Sequence, residues 1–213
     1  MAKTPQAPLD PSDAVRHQNA VRAVTELLDM AGLQGMIIGG VAAGIHGRPR
    51  FTADVDAVTI AAHTELDRLV SLASTNQLEP RRPDVIPFAK VNGVLQLRHM
   101  PSGIGVDISL GSHPFEQRAV ARAIRISIGD WSFRVATPED LVIMKAFAGR
   151  PIDYEDIRNI RARRHPIRWA RVRRIVGEFQ RILDRSDLVP GLDQALKPSP
   201  PLSQTRWKRK PKN

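Results

Sequence analysis

Residues 37–60 hold a glycine pair and a carboxylate pair on what the pattern predicts to be consecutive short elements. An apolar run ends at Gly39-Gly40, and the small residues that follow favour a short helix starting directly after the pair. Residues 51–60 are predicted to form a strand, so Asp54 and Asp56 project from one face while the residue between them enters the core. The stretch therefore predicts a strand, a glycine turn, a helix and a second strand that carries paired carboxylates.

This combination of groups suits a phosphate held through a metal ion. Two neighbouring carboxylates repel each other unless a cation lies between them, and Mg²⁺ prefers oxygen ligands together with substrate phosphates. A glycine backbone at a helix N-terminus lets an anion approach free N–H groups. Taken singly, Gly39-Gly40 also fits an ordinary turn, and Asp54 and Asp56 also fit a solvated strand face.

A third carboxylate strengthens the metal interpretation. Asp107 lies between apolar residues in a predicted strand at 104–110, which is expected to form a hairpin with residues 94–99. A lone charge in such a strand is costly when it is buried without a partner. An aspartate in this setting favours the interpretation of Asp54 and Asp56 as metal ligands over a solvated strand face.

The rest of the chain alternates between helical and strand patterns. Thr137-Pro138 predicts a helix start, because threonine caps a helix and proline suits its first position. Residues 81–88 contain two prolines and are expected to be irregular or an edge strand. Further helices are predicted at 13–30, 65–74, 115–123 and 152–162, and a second hairpin at 124–135. The expected fold class is α/β (α+β), a twisted mixed sheet flanked by helices with a helical C-terminal part.

The motifs together resemble the polymerase-β-type minimal nucleotidyltransferase superfamily. The resemblance is closest to the small bacterial nucleotidyltransferase-like proteins of abortive-infection and toxin–antitoxin systems. It is carried, in chain order, by Gly39-Gly40, His46-Gly47, Arg50, Thr52, Asp54, Asp56, Asp107, and then Lys145, Arg150 and Asp153. The chain departs from the CCA-adding enzymes, since residues 42–44 replace their Arg-Asp pair with Ala-Ala-Gly.

The resemblance implies an enzyme that moves NMP from an NTP to an acceptor hydroxyl, with Mg²⁺ in a two-metal site. Asp54, Asp56 and Asp107 would bind the metal, and Asp107 would also help to activate the acceptor hydroxyl. Gly39 and Gly40 would approach the triphosphate. The remaining implied roles are charge compensation by Arg50 and Lys145, a phosphate or aspartate contact for Thr52, and a nucleotide or cation contact for Asp153.

Composition and the resemblance together divide the chain into four parts. A disordered N-terminus is expected at 1–11, and the nucleotidyltransferase catalytic domain at 12–136. A helical part at 137–188 would complete the active site, and a basic disordered tail would follow at 189–213.

Charge points to a polyanionic partner. The net charge is +10, and residues 158–185 hold ten arginines against two acids. RNA is therefore the favoured acceptor, with the 3′ end of tRNA as one candidate, and the resemblance adds a toxin role with a cognate antitoxin protein as partner. There is no cysteine, signal peptide or apolar run of about 18 residues, so a soluble cytoplasmic protein without a membrane partner is expected.

Two other functions fit the same residues. One is nucleotide transfer to a protein or a small molecule. The other is a catalytically inactive RNA-binding module on the same fold.

Overall fold

The computed structural model describes residues 11–197, and in them seven strands form one mixed sheet in the order β3-β4-β5-β2-β1-β7-β6. The strands are β1 (Gly35–Ile37), β2 (Asp54–Thr59), β3 (Leu78–Pro80), β4 (Val94–His99), β5 (Ile104–Leu110), β6 (Ile124–Ile128) and β7 (Trp131–Val135). Strand β2 pairs parallel with β5 and antiparallel with β1, and both predicted hairpins, β4–β5 and β6–β7, are present. The predicted mixed sheet is confirmed.

The α-helices of the described part pack on the sheet, and the last four follow its final strand as a helical C-terminal part. They are α1 (Pro11–Met30), α2 (Gly39–His46), α3 (Leu66–Ala73), α4 (Val85–Asn92), α5 (Pro114–Arg122), α6 (Pro138–Ala148), α7 (Pro151–Ala162), α8 (Trp169–Ile182) and α9 (Leu188–Ala195). Helix α6 begins as predicted, because the Thr137 hydroxyl accepts a hydrogen bond of 3.1 Å from the Asp140 amide. None of these helices has the length and apolarity needed to cross a bilayer.

The C-terminal boundary differs from the expectation. A disordered tail was expected from residue 189, but α9 is helical there and buries Leu188, Leu192 and Ala195. Their spacing places them on one helix face, and Pro190 is tolerated in the first turn, where amides lack intrahelical partners. The disordered N-terminus expected at 1–11 also ends one residue earlier, since α1 begins at Pro11. Residues 1–10 and 198–213, the rest of the predicted disordered segments, lie outside the described residues.

Acids on α6 hold much of the basic C-terminal segment. Glu139 accepts hydrogen bonds from the Arg168 amide at 2.7 Å and from Arg171 at 2.5 Å, and Asp140 pairs with Arg122 at 2.8 Å. Burial raises the pKa of Glu139, but the hydrogen bonds from these arginines outweigh it and leave that pKa lowered. Part of the arginine charge thus stabilises the fold.

Candidate active site

The pairing of β2 with β5 brings the three predicted carboxylates to one face of the sheet. Asp56 is paired with Asp107 in the parallel register, and Asp54 is paired with Gly105. Side chains alternate along a strand, so Asp54, Asp56 and Asp107 all project to the side on which α2 begins. A slip of one residue would have sent Asp107 to the opposite face.

The glycine pair lets the start of α2 lie against these carboxylates. Gly39 has a left-handed φ of +62°, and a Cβ there would overlap the Asp56 carboxylate. A Cβ at Gly40 would instead overlap the Thr52 side chain. The Gly40 amide donates a hydrogen bond to Asp56. Any larger residue at either position would push the helix N-terminus away from the carboxylates.

Two of the carboxylates are destabilised in their charged forms. Burial raises the pKa of Asp56, the negative charge of Asp107 raises it further, and Lys145 and the Gly40 amide only partly oppose this. Burial also raises the pKa of Asp107, against the opposing charge and hydrogen bond of Arg81. A bound cation would stabilise the charged carboxylates of a site of this kind.

Arg81 is a site residue that the sequence analysis missed. Its guanidinium contacts the Asp107 carboxylate and lies 3.9 Å from an Asp54 oxygen. Its Nε is buried without a hydrogen-bond partner. The residue follows the edge strand β3, and only the register of the β3–β4–β5 pairing brings it to Asp107. No local motif marks it in the sequence.

The chemistry of the donor set fits a hard divalent ion. Carboxylate oxygens are the preferred ligands of Mg²⁺, and burial raises the pKa of both Asp56 and Asp107, so a bound cation would favour their charged forms. Within residues 11–197 no three acidic or histidine side chains converge closely enough to hold a metal as they stand. Arg81 contacts Asp107 and lies 3.9 Å from Asp54, so its guanidinium would compete with a metal ion for these two carboxylates.

A buried ionic cluster lies beside the carboxylates and joins α6, α7 and the loop before β2. Lys145 forms ion pairs with Asp153 at 3.0 Å and with Asp156 at 2.8 Å, and its side chain is only 4% exposed. Arg50 donates two hydrogen bonds of 2.8 Å to Asp156. Lys145 and Arg50 thus have carboxylate partners already. Asp156, which pairs with both, is the second residue near the site, after Arg81, that the sequence analysis missed.

Arg150 is the exposed cation of this cluster. Its side chain is 67% exposed, and its Nε donates a hydrogen bond of 2.7 Å to Asp153. Hydrogen bonding to Asp153 raises the pKa of Arg150, and the charge of Asp56 adds to this effect. Arg150 is therefore the member best placed to meet an anion from solvent, whereas Asp153 positions Arg150 and Lys145.

The two remaining motif residues hold the loop between α2 and β2. The Thr52 hydroxyl donates a hydrogen bond of 3.2 Å to the Asp54 carbonyl. His46 is buried and its Nε2 donates to the Ala136 carbonyl at 2.8 Å. Burial lowers the pKa of His46, so the ring is neutral and serves as a structural link.

The chain matches one protein family over most of its length. The model of the family described as nucleotidyltransferase of unknown function (DUF6036) matches residues 18–187. A comparison with curated proteins finds no match.

Solved structures show the same fold. An antigenic nucleotidyltransferase-like protein from Paracoccidioides brasiliensis is 17% identical with a TM-score of 0.52, covering 88% of this chain and 95% of that chain. The antibiotic-resistance factor ANT(2'')-Ia in solution is 12% identical with a TM-score of 0.55, covering 81% and 95%. ANT(2'')-Ia in complex with adenylyl-2''-tobramycin is 13% identical with a TM-score of 0.52, covering 78% and 99%.

Proposed function

Because the chain belongs to this family of nucleotidyltransferases, we propose that it transfers NMP from an NTP to an acceptor hydroxyl through Asp54, Asp56 and Asp107. The observation that carries the proposal is the parallel pairing of Asp56 with Asp107 directly beside the N-terminus of α2. Carboxylates for a metal ion and the positive end of a helix for phosphate oxygens thereby lie within one small site.

Each part of the site has a role in this reaction. The acceptor oxygen forms a bond to the α-phosphorus, the bond from that phosphorus to the bridging oxygen breaks, and pyrophosphate leaves with the bonding pair. Asp107 takes the hydroxyl proton, a role that suits a carboxylate whose pKa is raised by burial. Mg²⁺, held by Asp54, Asp56 and Asp107, would neutralise the phosphate charge and clamp the entering and leaving oxygens.

The triphosphate needs positive groups around it. The positive end of α2, where Gly39 and Gly40 let a phosphate approach the backbone, and the exposed guanidinium of Arg150 supply them in our proposal. The buried ionic cluster of Lys145, Arg50 and Asp153 holds these positive groups in place. The Thr52 hydroxyl, through its hydrogen bond to the Asp54 carbonyl, positions Asp54. Lys145 therefore acts through its charge and through positioning, and the charge compensation expected from the sequence is directed first at Asp153 and Asp156.

Arg81 gives a test of the metal site that does not depend on activity. Arg81→Met should tighten Mg²⁺ binding by about two- to fivefold, because a partly exposed guanidinium no longer competes for Asp54 and Asp107. Titration calorimetry measures the effect. Arg82→Met is the matched control, since Arg82 pairs with Asp84 at 2.6 Å instead. Weaker or unchanged Mg²⁺ binding in Arg81→Met would contradict the proposed metal position.

We propose RNA as the acceptor, with the 3′ end of tRNA as one candidate, and a toxin neutralised by an antitoxin protein as the biological setting. The net charge of +10 supports a polyanionic partner. Transfer to a small molecule is the second candidate, because a structural neighbour has been solved with adenylyl-2''-tobramycin. Transfer to a protein, or RNA binding without catalysis, would use the same fold.

Labelled nucleotides separate these acceptors. The protein is incubated with Mg²⁺, NTPs labelled at the α-phosphate, total RNA, total protein and an aminoglycoside, each acceptor in a separate reaction. We expect label on RNA with wild type, its loss in Asp54→Ala, and its retention in Asp67→Ala, a control on the exposed face of α3. Label on protein or aminoglycoside alone would replace the RNA proposal with one of its rivals.

A further inference from the structure

An apolar cavity adjoins the carboxylate site, and its floor continues the strands that carry the carboxylates. Val58 and Ser109 form part of this floor. They are paired with each other two residues beyond the Asp56–Asp107 pair, and therefore lie on the same face of the sheet. Two residues along a strand span about 7 Å, so the cavity begins about that distance from the carboxylates. Its volume is about 390 Å³.

The walls of this cavity are aromatic and its rim is apolar and exposed. The Phe147 ring lies 5.2 Å from the Phe179 ring, and the Phe115 ring lies 5.6 Å from the same ring, both edge to face. At the rim, Phe147 is 41% exposed and Ile182 is 71% exposed. Glu116 also lines the cavity, but its carboxylate accepts a hydrogen bond from the His113 amide at 3.0 Å. The cavity therefore suits a flat, largely apolar group.

An arginine groove continues from the cavity along α5 and α8. His113, Phe115, Phe179 and Ile182 line both spaces. The groove adds Arg118, Arg122, Arg171 and Arg174. Acids engage three of these arginines: Asp140 pairs with Arg122, Glu139 pairs with Arg171, and Glu178 pairs with Arg174. Arg118 is exposed and has no ion-pair partner among residues 11–197, so the groove keeps a positive charge.

We infer that the cavity and the arginine groove bind the 3′-terminal nucleotide of a single-stranded RNA acceptor, with the base in the cavity and the preceding phosphates along Arg118 and its neighbours. The inference rests on the proposed transfer reaction and specifies its acceptor site. With the base on Phe147, the ribose must lie toward the carboxylates for its hydroxyl to reach Asp107. Aromatic stacking combined with a basic groove is how proteins bind single strands without a base-reading motif.

The arginine groove favours the acceptor over the NTP as the occupant of this cavity. An NTP has one chain of phosphates, and α2 and Arg150 already offer that chain a positive site. No anionic group lies beyond the base of an NTP, so the groove would have nothing to bind. A nucleic acid with its base in the cavity continues through phosphates that match the groove. A polycationic small molecule would be repelled there.

Binding measurements on the full chain test this inference. A 5′-fluorescein oligoribonucleotide with a free 3′ hydroxyl is titrated by anisotropy, and ATP and the other NTPs are titrated by calorimetry. Phe147→Ala should weaken oligoribonucleotide binding about tenfold, and Phe147→Trp should restore it, because the stacking surface returns. Arg118→Glu should weaken binding and reduce its salt slope, whereas Arg68→Glu on α3 should leave the slope nearer to wild type. NTP affinity should remain unchanged in every variant.

The titrations show whether the acceptor or the NTP occupies the cavity. Weaker NTP binding in Phe147→Ala, with oligoribonucleotide binding intact, would assign the cavity to the NTP base and overturn the inference. Unchanged oligoribonucleotide binding in Phe147→Ala and Arg118→Glu, with a wild-type melting profile, would overturn it too. The transfer reaction is judged separately: wild type that binds RNA through the cavity but transfers no label refutes the proposed function alone. Label transfer to another acceptor, without RNA binding, refutes the cavity assignment alone.

Discussion

Asp56→Asn is expected to slow nucleotidyl transfer on the order of a thousandfold and, in the absence of Mg²⁺, to raise the thermal stability of the protein. The rate falls because a ligand of the proposed metal site is lost, and metal stabilisation of the transition state is worth several kcal/mol, at about 1.4 kcal/mol for each tenfold change. Stability rises because Asp56 has a raised pKa, caused first by burial and then by Asp107. A neutral amide avoids that unfavourable charge.

The sign of the stability change follows from linkage. A carboxyl whose pKa is higher in the folded state than in the unfolded state disfavours folding above that pKa, so its charge is a cost at neutral pH. Thermal unfolding without and with Mg²⁺ measures the effect. Mg²⁺ should stabilise wild type and have a smaller effect on Asp56→Asn, because the variant lacks one ligand.

The matched control for this variant is Asp67→Asn, at an exposed position of α3. It should change neither the rate nor the response to Mg²⁺. An Asp56→Asn protein that is inactive and also less stable without Mg²⁺ would indicate that Asp56 is a structural residue. Retained activity would place the reaction elsewhere in the chain.

Lys145→Met is expected to lower the free energy of unfolding by about 3–5 kcal/mol, the cost of breaking a buried ion pair. Lys145 neutralises Asp153 and Asp156, whose side chains are 0% and 1% exposed. Methionine preserves much of the side-chain length but leaves each carboxylate with one cation, Arg150 for Asp153 and Arg50 for Asp156. Denaturant unfolding at neutral pH measures the loss.

The ionic cluster also predicts how this loss depends on pH. Burial raises the pKa of Asp153 and of Asp156, but hydrogen bonds from Arg150 or Arg50 and from Lys145 outweigh it and lower both values. Carboxylates with lowered pKa values stabilise the fold above the unfolded value of about 3.9, and this stability is lost as the pH falls through the folded values. The gap between wild type and Lys145→Met should therefore narrow in acid.

Lys90→Met is the control for the ionic cluster, since Lys90 is exposed on α4. It should alter stability by no more than about 0.5 kcal/mol. A similar small effect in Lys145→Met would show that Arg50 and Arg150 alone satisfy the two aspartates. In that case the lysine would be free to act on the nucleotide, as the sequence first suggested.

The parts of the site that follow a local rule were predictable from the sequence. Alternation along β2 places Asp54 and Asp56 on one face, and the cap at Thr137 marks the start of α6. Asp107 was also identified, because a charge within an apolar strand is conspicuous and the family resemblance implies a third carboxylate on a later strand. In each case the signal lies within a few residues, and the structure contains the element as expected.

The parts that depend on long-range pairing were not predictable. Arg81 reaches Asp107 only because β3 pairs with β4, and β4 with β5, in a particular register. Asp156 is known as the partner of Arg50 only once α7 packs beside α2. The degree of burial of Lys145 likewise depends on α7. A side chain shows its type in the sequence, whereas its partner is determined by tertiary packing.

Composition overstated the free positive charge for the same reason. Several arginines of the basic segment are paired with acids: Arg168 and Arg171 with Glu139, Arg173 with Asp193, and Arg185 with Asp187. Counting residues cannot separate an arginine that holds two helices together from one that can bind RNA. Arg118, on α5 and outside that segment, emerges as the better candidate for a phosphate contact.

The most direct test of nucleotidyl transfer compares the same NTP labelled at two different phosphates, in separate reactions. Wild-type protein, Mg²⁺ and acceptor are incubated with NTP labelled at the α-phosphate, or with the same NTP labelled at the γ-phosphate. The proposed reaction leaves the α label on the acceptor and releases the γ label as pyrophosphate, and Asp56→Asn should slow both events on the order of a thousandfold. Transfer of the γ label to the acceptor, or α-label transfer that persists at the wild-type rate in Asp56→Asn, would contradict it.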